Sequence, residues 1–454
     1  MSVAARELRK RERLYDRPAV SRRVAPMALL VAFVLAASVP IPAFALSSGG
    51  ANHEPVGAVY VATNAYAGNQ IITYLRAADG SLTRTGTAVP TGGRGSGPGL
   101  FAPLNDDPLG SQGSLVTDQK RQLVFAANAG SNTVSVLGVK GRQLSYLDQA
   151  PTDGAFPVSV SFSNDYLYVL NAVGNSISGY RVTGSGHLVH VQECDLPPLA
   201  GTPDEITPGD ATHSSQPMPT QTPGQIGFSP DGTKLVVVSK EGPLKNGFPL
   251  ETMLGPGHVY VYAINQGTGL VSNCGRPTTT RLDLNSSGKG KFPFSFTWTG
   301  KAQLLLTEVF GTATSFSGGA VGSYTVNRDG SVTPISGSVG DGQTAPCWIV
   351  TTGSHAYAAN YFGGYVSSFT VGSRGDLTHQ SDTAAVDNPG TFTTLDDMAI
   401  TRDGRTIYQL VPGLGEVRPF QVAQSTGALT RLAAISDGLT GGSGAAGIAT
   451  INFT

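Results

Sequence analysis

Beyond residue 57 the apolar positions of this chain fall into short runs separated by glycine-bearing turns. The clearest unit is 225–240, QIGFSPDGTKLVVVSK, two apolar strands about a Ser-Pro-Asp-Gly turn. Proline presets such a turn, and glycine takes the positive φ that other residues resist. Variants of the unit recur in seven segments. In each, a first strand and a turn lead to a second strand of the VYVAT type, at 59–63, 123–127, 167–170, 235–239, 304–307, 356–359 and 407–410. A third strand follows, then a turn and a short fourth strand. These turns are Asp79-Gly80, Lys140-Gly141, 184–186, 267–269, Asp329-Gly330, Arg374-Gly375 and Thr426-Gly427. Runs of about five residues with period-two alternation between Gly turns predict half-buried antiparallel strands. Four of them repeating every 45 residues or more, roughly, predict an all-β chain folded as a seven-bladed β-propeller of four-stranded blades.

The first strands are expected at 114–117, 158–162, 225–228, 294–297, 348–351, 398–401 and 446–450. The last has no repeat after it, and the first repeat lacks a first strand before 58–63. The C-terminal strand is therefore expected to complete blade one and close the ring, which removes open sheet edges. First-to-second and third-to-fourth connections are nearly all tight. The long segments, 90–112, 195–224, 241–257 and 309–320, fall between second and third strands or between blades. In an up-and-down blade those two kinds of connection leave from one face. That loaded face is where function is expected. Segment 195–224, rich in Pro, Thr and Ser, reads as partly disordered.

The first 45 residues differ from the rest. A basic arm holding Arg6 to Arg23 precedes an apolar run at 27–39 and then Ala43-Phe44-Ala45. This is the order of a signal peptide, with cleavage expected after Ala45, a linker at 46–57 and the propeller at 58–454. The apolar core is short against the roughly 20 residues of a spanning helix; a retained anchor is the other reading. The whole chain carries a net charge of −1; losing eight basic and three acidic residues takes it to −6, by −1 − (8 − 3). No polyanion-binding face is implied. Three cysteines remain, Cys194, Cys274 and Cys347. A bridge between Cys194 and Cys274 is conceivable, but three buried thiols acting as small hydrophobes is the favoured reading.

The residue just past each second strand is expected to ring the loaded face: Asn64, Asn128, Asn171, Lys240, Glu308, Asn360 and Val411. Asn there fits a structural role, because its side chain caps turns and tolerates left-handed backbone. Lys240 and Glu308 break the pattern in neighbouring blades. One reading makes Glu308 a general base, with the Lys240 ammonium steadying oxyanion charge. The other makes them a salt bridge or two solvated side chains. Gln112, Gln225, Asp396 and Asp397 are placed at the channel mouth, with Gln112, Gln225 and Asp396 as ligand contacts. The Asp pair alone is weak ground for calcium, and no metal is expected. Phe248, Phe310, Phe316, Tyr361 and Phe362 either line an apolar or sugar-stacking pocket, with Phe310 and Tyr361 as contacts, or pack the loops together. Trp348 reads as channel packing. His213 and His258 read as incidental loop histidines, since no Gly-x-Ser-x-Gly nucleophile turn accompanies them.

From residue 58 onward the chain resembles the lactonase-like seven-bladed propellers, the group of bacterial 6-phosphogluconolactonase and fungal carboxymuconate cyclase. The carriers are TPGQIGFSPDGTKLVVV, TEVFGTATSFSGGAVGSYTV, GQTAPCWIV and AYAANYFGGYVSSFTV. The resemblance implies the fold, a small-molecule mouth and lactone chemistry. The family's Glu falls on Glu308. Its Arg and His fall on Phe292 and Pro293, and the His often found before blade four falls on Gly224. The expectation is an exported lactonase-like propeller with a small-molecule site on the loaded face. The alternative is a non-catalytic propeller binding a ligand, glycan or protein there. No cofactor or nucleic acid is implied, and a membrane only through an uncleaved N-terminal segment.

Overall fold

Gly turns and β-rich runs resolve into seven antiparallel sheets of four strands each. The computed structural model describes residues 54–99, 107–196, 206–207, 214–240, 256–283, 291–312, 315–386 and 394–454. Contacts divide the chain into Met1–Asn52 and His53–Thr454. The basic arm, apolar run and expected cleavage point lie outside the described residues. Among the described residues no helix is long and apolar enough to cross a membrane.

Blade one is built from both ends of the propeller. Its strands are Ile448–Asn452, Gly57–Ala62, Gln70–Arg76 and Leu82–Pro90. The closing pair is in register from Gly57↔Asn452 to Val61↔Ile448. The other blades span 115–151, 155–195, 223–281, 292–340, 346–386 and 398–431. Each reads outward from its first strand in sequence order.

The apolar core lies between blades. Phe125 and Val136 of blade two pack with Val160 and Val169 of blade three. Val59 and Tyr74 of blade one pack with Tyr408 and Val417 of blade seven, so the closure is apolar as well as hydrogen-bonded. This layering corrects the half-buried expectation for the second strands. Gly57–Ala62, Leu123–Asn128 and Thr406–Val411 are buried at every position, because each sheet has a neighbour on both sides. Alternation toward solvent survives only farther out, as in Leu82–Pro90.

Two further expectations change. Segment 309–320 is largely strand rather than loop, since Gln303–Thr312 and Ser315–Val326 run as one long hairpin from Gln303↔Thr325 to Thr312↔Ser315. Cys194 and Cys274 form a disulfide, tying the last strand of blade three to the segment before the last strand of blade four, and Cys347 is a buried free thiol. Of the 195–224 segment, 197–205 and 208–213 lie outside the described residues; Ile206–Thr207 pairs with Gln216–Pro217, and Pro219–Gln221 forms a 3-10 turn.

Candidate functional site

Asn128, Asn360 and Val411 close their second strands and Asn64 and Lys240 follow theirs, whereas Asn171 and Glu308 lie inside longer ones, Tyr166–Val173 and Gln303–Thr312; all seven are buried. In three blades the Asn side chain donates to the serine seven residues on: Asn128 to Ser135 at 2.8 Å, Asn171 to Ser178 at 2.9 Å and Asn360 to Ser367 at 2.7 Å. Asn64 adopts φ 48° and donates to Ser96 Oγ at 2.8 Å. The first three tie the second strand to the third within a blade, and Asn64 ties blade one to the loop that follows it.

Glu308 fills the same position differently. Gly322 faces it from the third strand; a Cβ there would stand 2.5 Å from Glu308 Oε1, so the missing side chain makes room for the carboxylate. Tyr324 and Ser338, on the third and fourth strands, donate their hydroxyls to its two oxygens. Lys291 Nζ approaches to 3.8 Å and also donates to Tyr324 Oη at 3.2 Å. Burial pushes the Glu308 carboxyl up; Lys291 and the two hydroxyls offset part of that push.

Lys240 turns to other partners. Its ammonium donates to Gly110 O and lies 4.8 Å from the centroid of the Phe294 ring. It has no exposed surface. Burial brings its pKa down to about 8, against the opposing pull of Asp107 and Cys347. Burial drives the Cys347 thiol well up; Asp107, Asp396 and Asp341 push the same way, and Lys240 opposes them. Lys240 and Glu308 thus engage separate sets of groups. The axial neighbours of Lys240 are Asp107, Cys347 and Phe294.

The cover over Lys240 is the run 107–113, the approach to blade two. Ser111 Oγ donates to Val158 O at 2.7 Å, and Ser159 Oγ donates to Gln112 O at 2.7 Å, both in blade three. Gln112 N donates to Gly224 O of blade four at 3.1 Å. Trp348 Nε1 of blade six donates to Ser111 O at 2.9 Å. Gly113 N donates to Asp397 Oδ2, just before blade seven, at 3.2 Å. A segment that touches the inner ends of blades three, four, six and seven crosses the axis; we call it the strap. Gly110 allows the fit: its φ is 58°, and a Cβ would meet Pro219 at 2.9 Å and Lys240 Nζ at 3.1 Å.

The expected mouth residues are brought to this axis, most of them as stitches. Gln112 bonds the Ile349 backbone through both amide atoms. Gln225 Oε1 accepts from Phe296 N at 2.7 Å. Asp397 accepts from Gly113 N and from its neighbour Met398 N. Burial drives the Asp397 carboxyl up to about 7 despite those donors. Asp396 is buried beside it, within the field of Cys347. The aromatic residues pack inward: Phe294 on Trp348 at 5.0 Å, Trp348 on Tyr361 at 6.0 Å, and Tyr361 on Phe362 at 4.8 Å. Phe310 is buried. Phe248 and the Phe316 side chain lie outside the described residues, as does His213. His258 is no loop residue; it opens the strand His258–Ala263 and stacks on Tyr260.

Sequence reasoning missed Asp107, Cys347 and Lys291 as site neighbours. The Ala-Pro-Cys-Trp run was a signal for Cys347 alone. Gly224 has a steric reason to be Gly: a Cβ there would stand 2.0 Å from Phe294 O, so a His needs a shifted backbone.

With this geometry in hand, the chain can be set beside known proteins. Residues 306–446 match the family Lactonase, 7-bladed beta-propeller. That stretch runs from the second strand of blade five past blade seven. Among solved structures, a provisionally assigned 6-phosphogluconolactonase from Bacteroides fragilis superposes with a TM-score of 0.57 at 15% identity, covering 88% of this chain and 98% of that one. The periplasmic gluconolactonase of Pseudomonas aeruginosa superposes with a TM-score of 0.54 at 14% identity, covering 88% and 99%. At these identities the likeness speaks for the fold. No curated protein matches the chain.

Proposed function

We propose that this is an exported lactonase-like propeller whose small-molecule site lies on the long-loop face, at the axial ends of blades four to seven. The observation that carries the reading is Lys240, a buried lysine with its pKa drawn down to about 8, set among Asp107, Cys347 and Phe294 under the strap. Lactone hydrolysis adds water to the ring carbonyl, breaks the ring C–O bond and moves a proton from water to the departing alkoxide, giving a hydroxy acid. An ammonium in a desolvated site stabilises the oxyanion of the intermediate. A carboxylate takes the water's proton. Glu308 suits that role poorly, since Tyr324 and Ser338 hold its oxygens; Asp107 and Asp396 are the acids nearer Lys240 and Cys347. Substrate entry requires the strap to lift. The N-terminal segment acts as the export signal in this reading, which N-terminal sequencing of secreted protein tests.

A second reading, a non-catalytic propeller binding a ligand, glycan or protein on the same face, draws on the complete burial of both Lys240 and Glu308. A panel of sugar-acid and aliphatic lactones, assayed with wild type, Lys240→Met and Glu308→Gln, separates the two. Turnover lost in a folded Lys240→Met supports the hydrolase. Turnover kept in Lys240→Met but lost in a folded Glu308→Gln restores Glu308 to the base role. No turnover on any lactone, with ligand binding retained, supports the binding module.

A further inference from the structure

Blade three carries a second polar cluster, on its outermost strand. Leu188–Asp195 pairs with Ser176–Val182 as Tyr180↔His190 and then Gly179↔Gln192, leaving Val191 without a partner. In a regular strand His190 and Glu193, three apart, face opposite sides. The bulge adds one residue and turns both to the same side. There His190 Nε2 stands 3.5 Å from Asp153 Oδ2 and 3.9 Å from Glu193 Oε2. One ligand atom from each of the three residues lies within 4.8 Å of the other two. Asp153 comes from the connection between blades two and three, at φ 55°. Beside Glu193, the bridge from Cys194 to Cys274 pins the strand end.

These separations are too long for hydrogen bonds. The two His190 separations are close to the edges of a tetrahedron: donors bound at about 2.1 Å to one ion stand roughly 3.4 Å apart. Both oxygens of Glu193 are closed to solvent; the Ser176 and Ser178 hydroxyls lie near the carboxylate, but neither is within normal hydrogen-bond distance of it. A cation would compensate the carboxylate where the protein does not. The His190 and Asp153 side chains are 44% and 50% exposed, so an ion has a path from solvent. One imidazole with two carboxylates suits a borderline transition ion; calcium takes six to eight oxygens.

We propose that Asp153, His190 and Glu193 form a binding site for a divalent transition metal of the zinc class, with a fourth position left to water or an incoming donor. The site is independent of the lactonase reading. The test uses the untagged full chain, stripped with chelator and titrated with Zn²⁺ in a calorimeter; Co²⁺ serves as a visible-absorption probe of tetrahedral geometry. The expected result is one ion per chain, with affinity weakened by about tenfold or more in His190→Ala and in Asp153→Asn. Both side chains are exposed, so both variants should melt like wild type in the presence of EDTA. Absence of Zn²⁺ binding, or equal binding by wild type and both variants, overturns the proposal.

Discussion

Gln112, in the approach to blade two, bonds the backbone of Ile349 in blade six through both atoms of its amide: Oε1 accepts from Ile349 N at 2.9 Å, and Nε2 donates to Ile349 O at 3.1 Å. The side chain imitates a strand neighbour across the axis. Gln112→Ala removes both bonds and leaves two buried backbone groups without their partner. We expect a loss of about 2–3 kcal/mol in chemical denaturation and faster amide exchange over 107–113. An unchanged midpoint with unchanged exchange would show that the strap does not depend on this stitch.

Closure of the ring rests on one strand. Ile448–Asn452 supplies the inner strand of blade one, and Ile448 packs with Val59, Tyr408 and Leu410. Deleting 444–454 exposes the edge of Gly57–Ala62 and opens the seam between blades one and seven. Cooperative thermal unfolding should be lost. A truncated protein that melts like the full chain would mean that the seam contributes little.

The fold was legible because turn chemistry and strand patterning repeat seven times and agree with one another. The site was less so. Lys240 and Glu308 stand out as departures from Asn, but where their side chains turn depends on Gly322, Tyr324 and the strap, none of which the repeat pattern singles out. Gln112 sits in blade two's approach yet bonds blade six, and no local spacing encodes a contact 237 residues away. His190 and Glu193 were hidden for a related reason. Their separation points to opposite faces until the register with Ser176–Val182 introduces a bulge.

The disulfide offers a third test. Cys194 and Cys274 are 80 residues apart, and bridging a loop of that length is worth about 2–4 kcal/mol in most proteins. Cys194→Ala with Cys274→Ala should lower stability by that order. In unfolded, unreduced wild type only Cys347 should react with a thiol reagent. Labelling of all three cysteines under those conditions rules the bridge out.

Lys240 gives a pH signature whose sign follows from its burial. Its pKa falls from 10.5 to about 8 on folding, mainly by desolvation. Between those values the unfolded chain holds a proton that the folded chain has shed, so this group makes stability rise with pH across that window. Below it the burial penalty is present in full, on the order of 3 kcal/mol. Cys347 works in the opposite sense: its folded pKa lies well above 9.0, so its contribution is present at lower pH and is lost as pH rises past the unfolded value. The comparison is therefore made in a Cys347→Ala background, with and without Lys240→Met. The stability difference, Lys240 form minus Met form, should climb by roughly 3 kcal/mol from about pH 7.5 to pH 10.5 in denaturant titrations. A flat difference means that Lys240 keeps an ordinary pKa in the folded protein. The charge of Asp107 would then offset the burial of the ammonium in full, and the uncompensated oxyanion-stabilising role proposed for it would lose its physical basis.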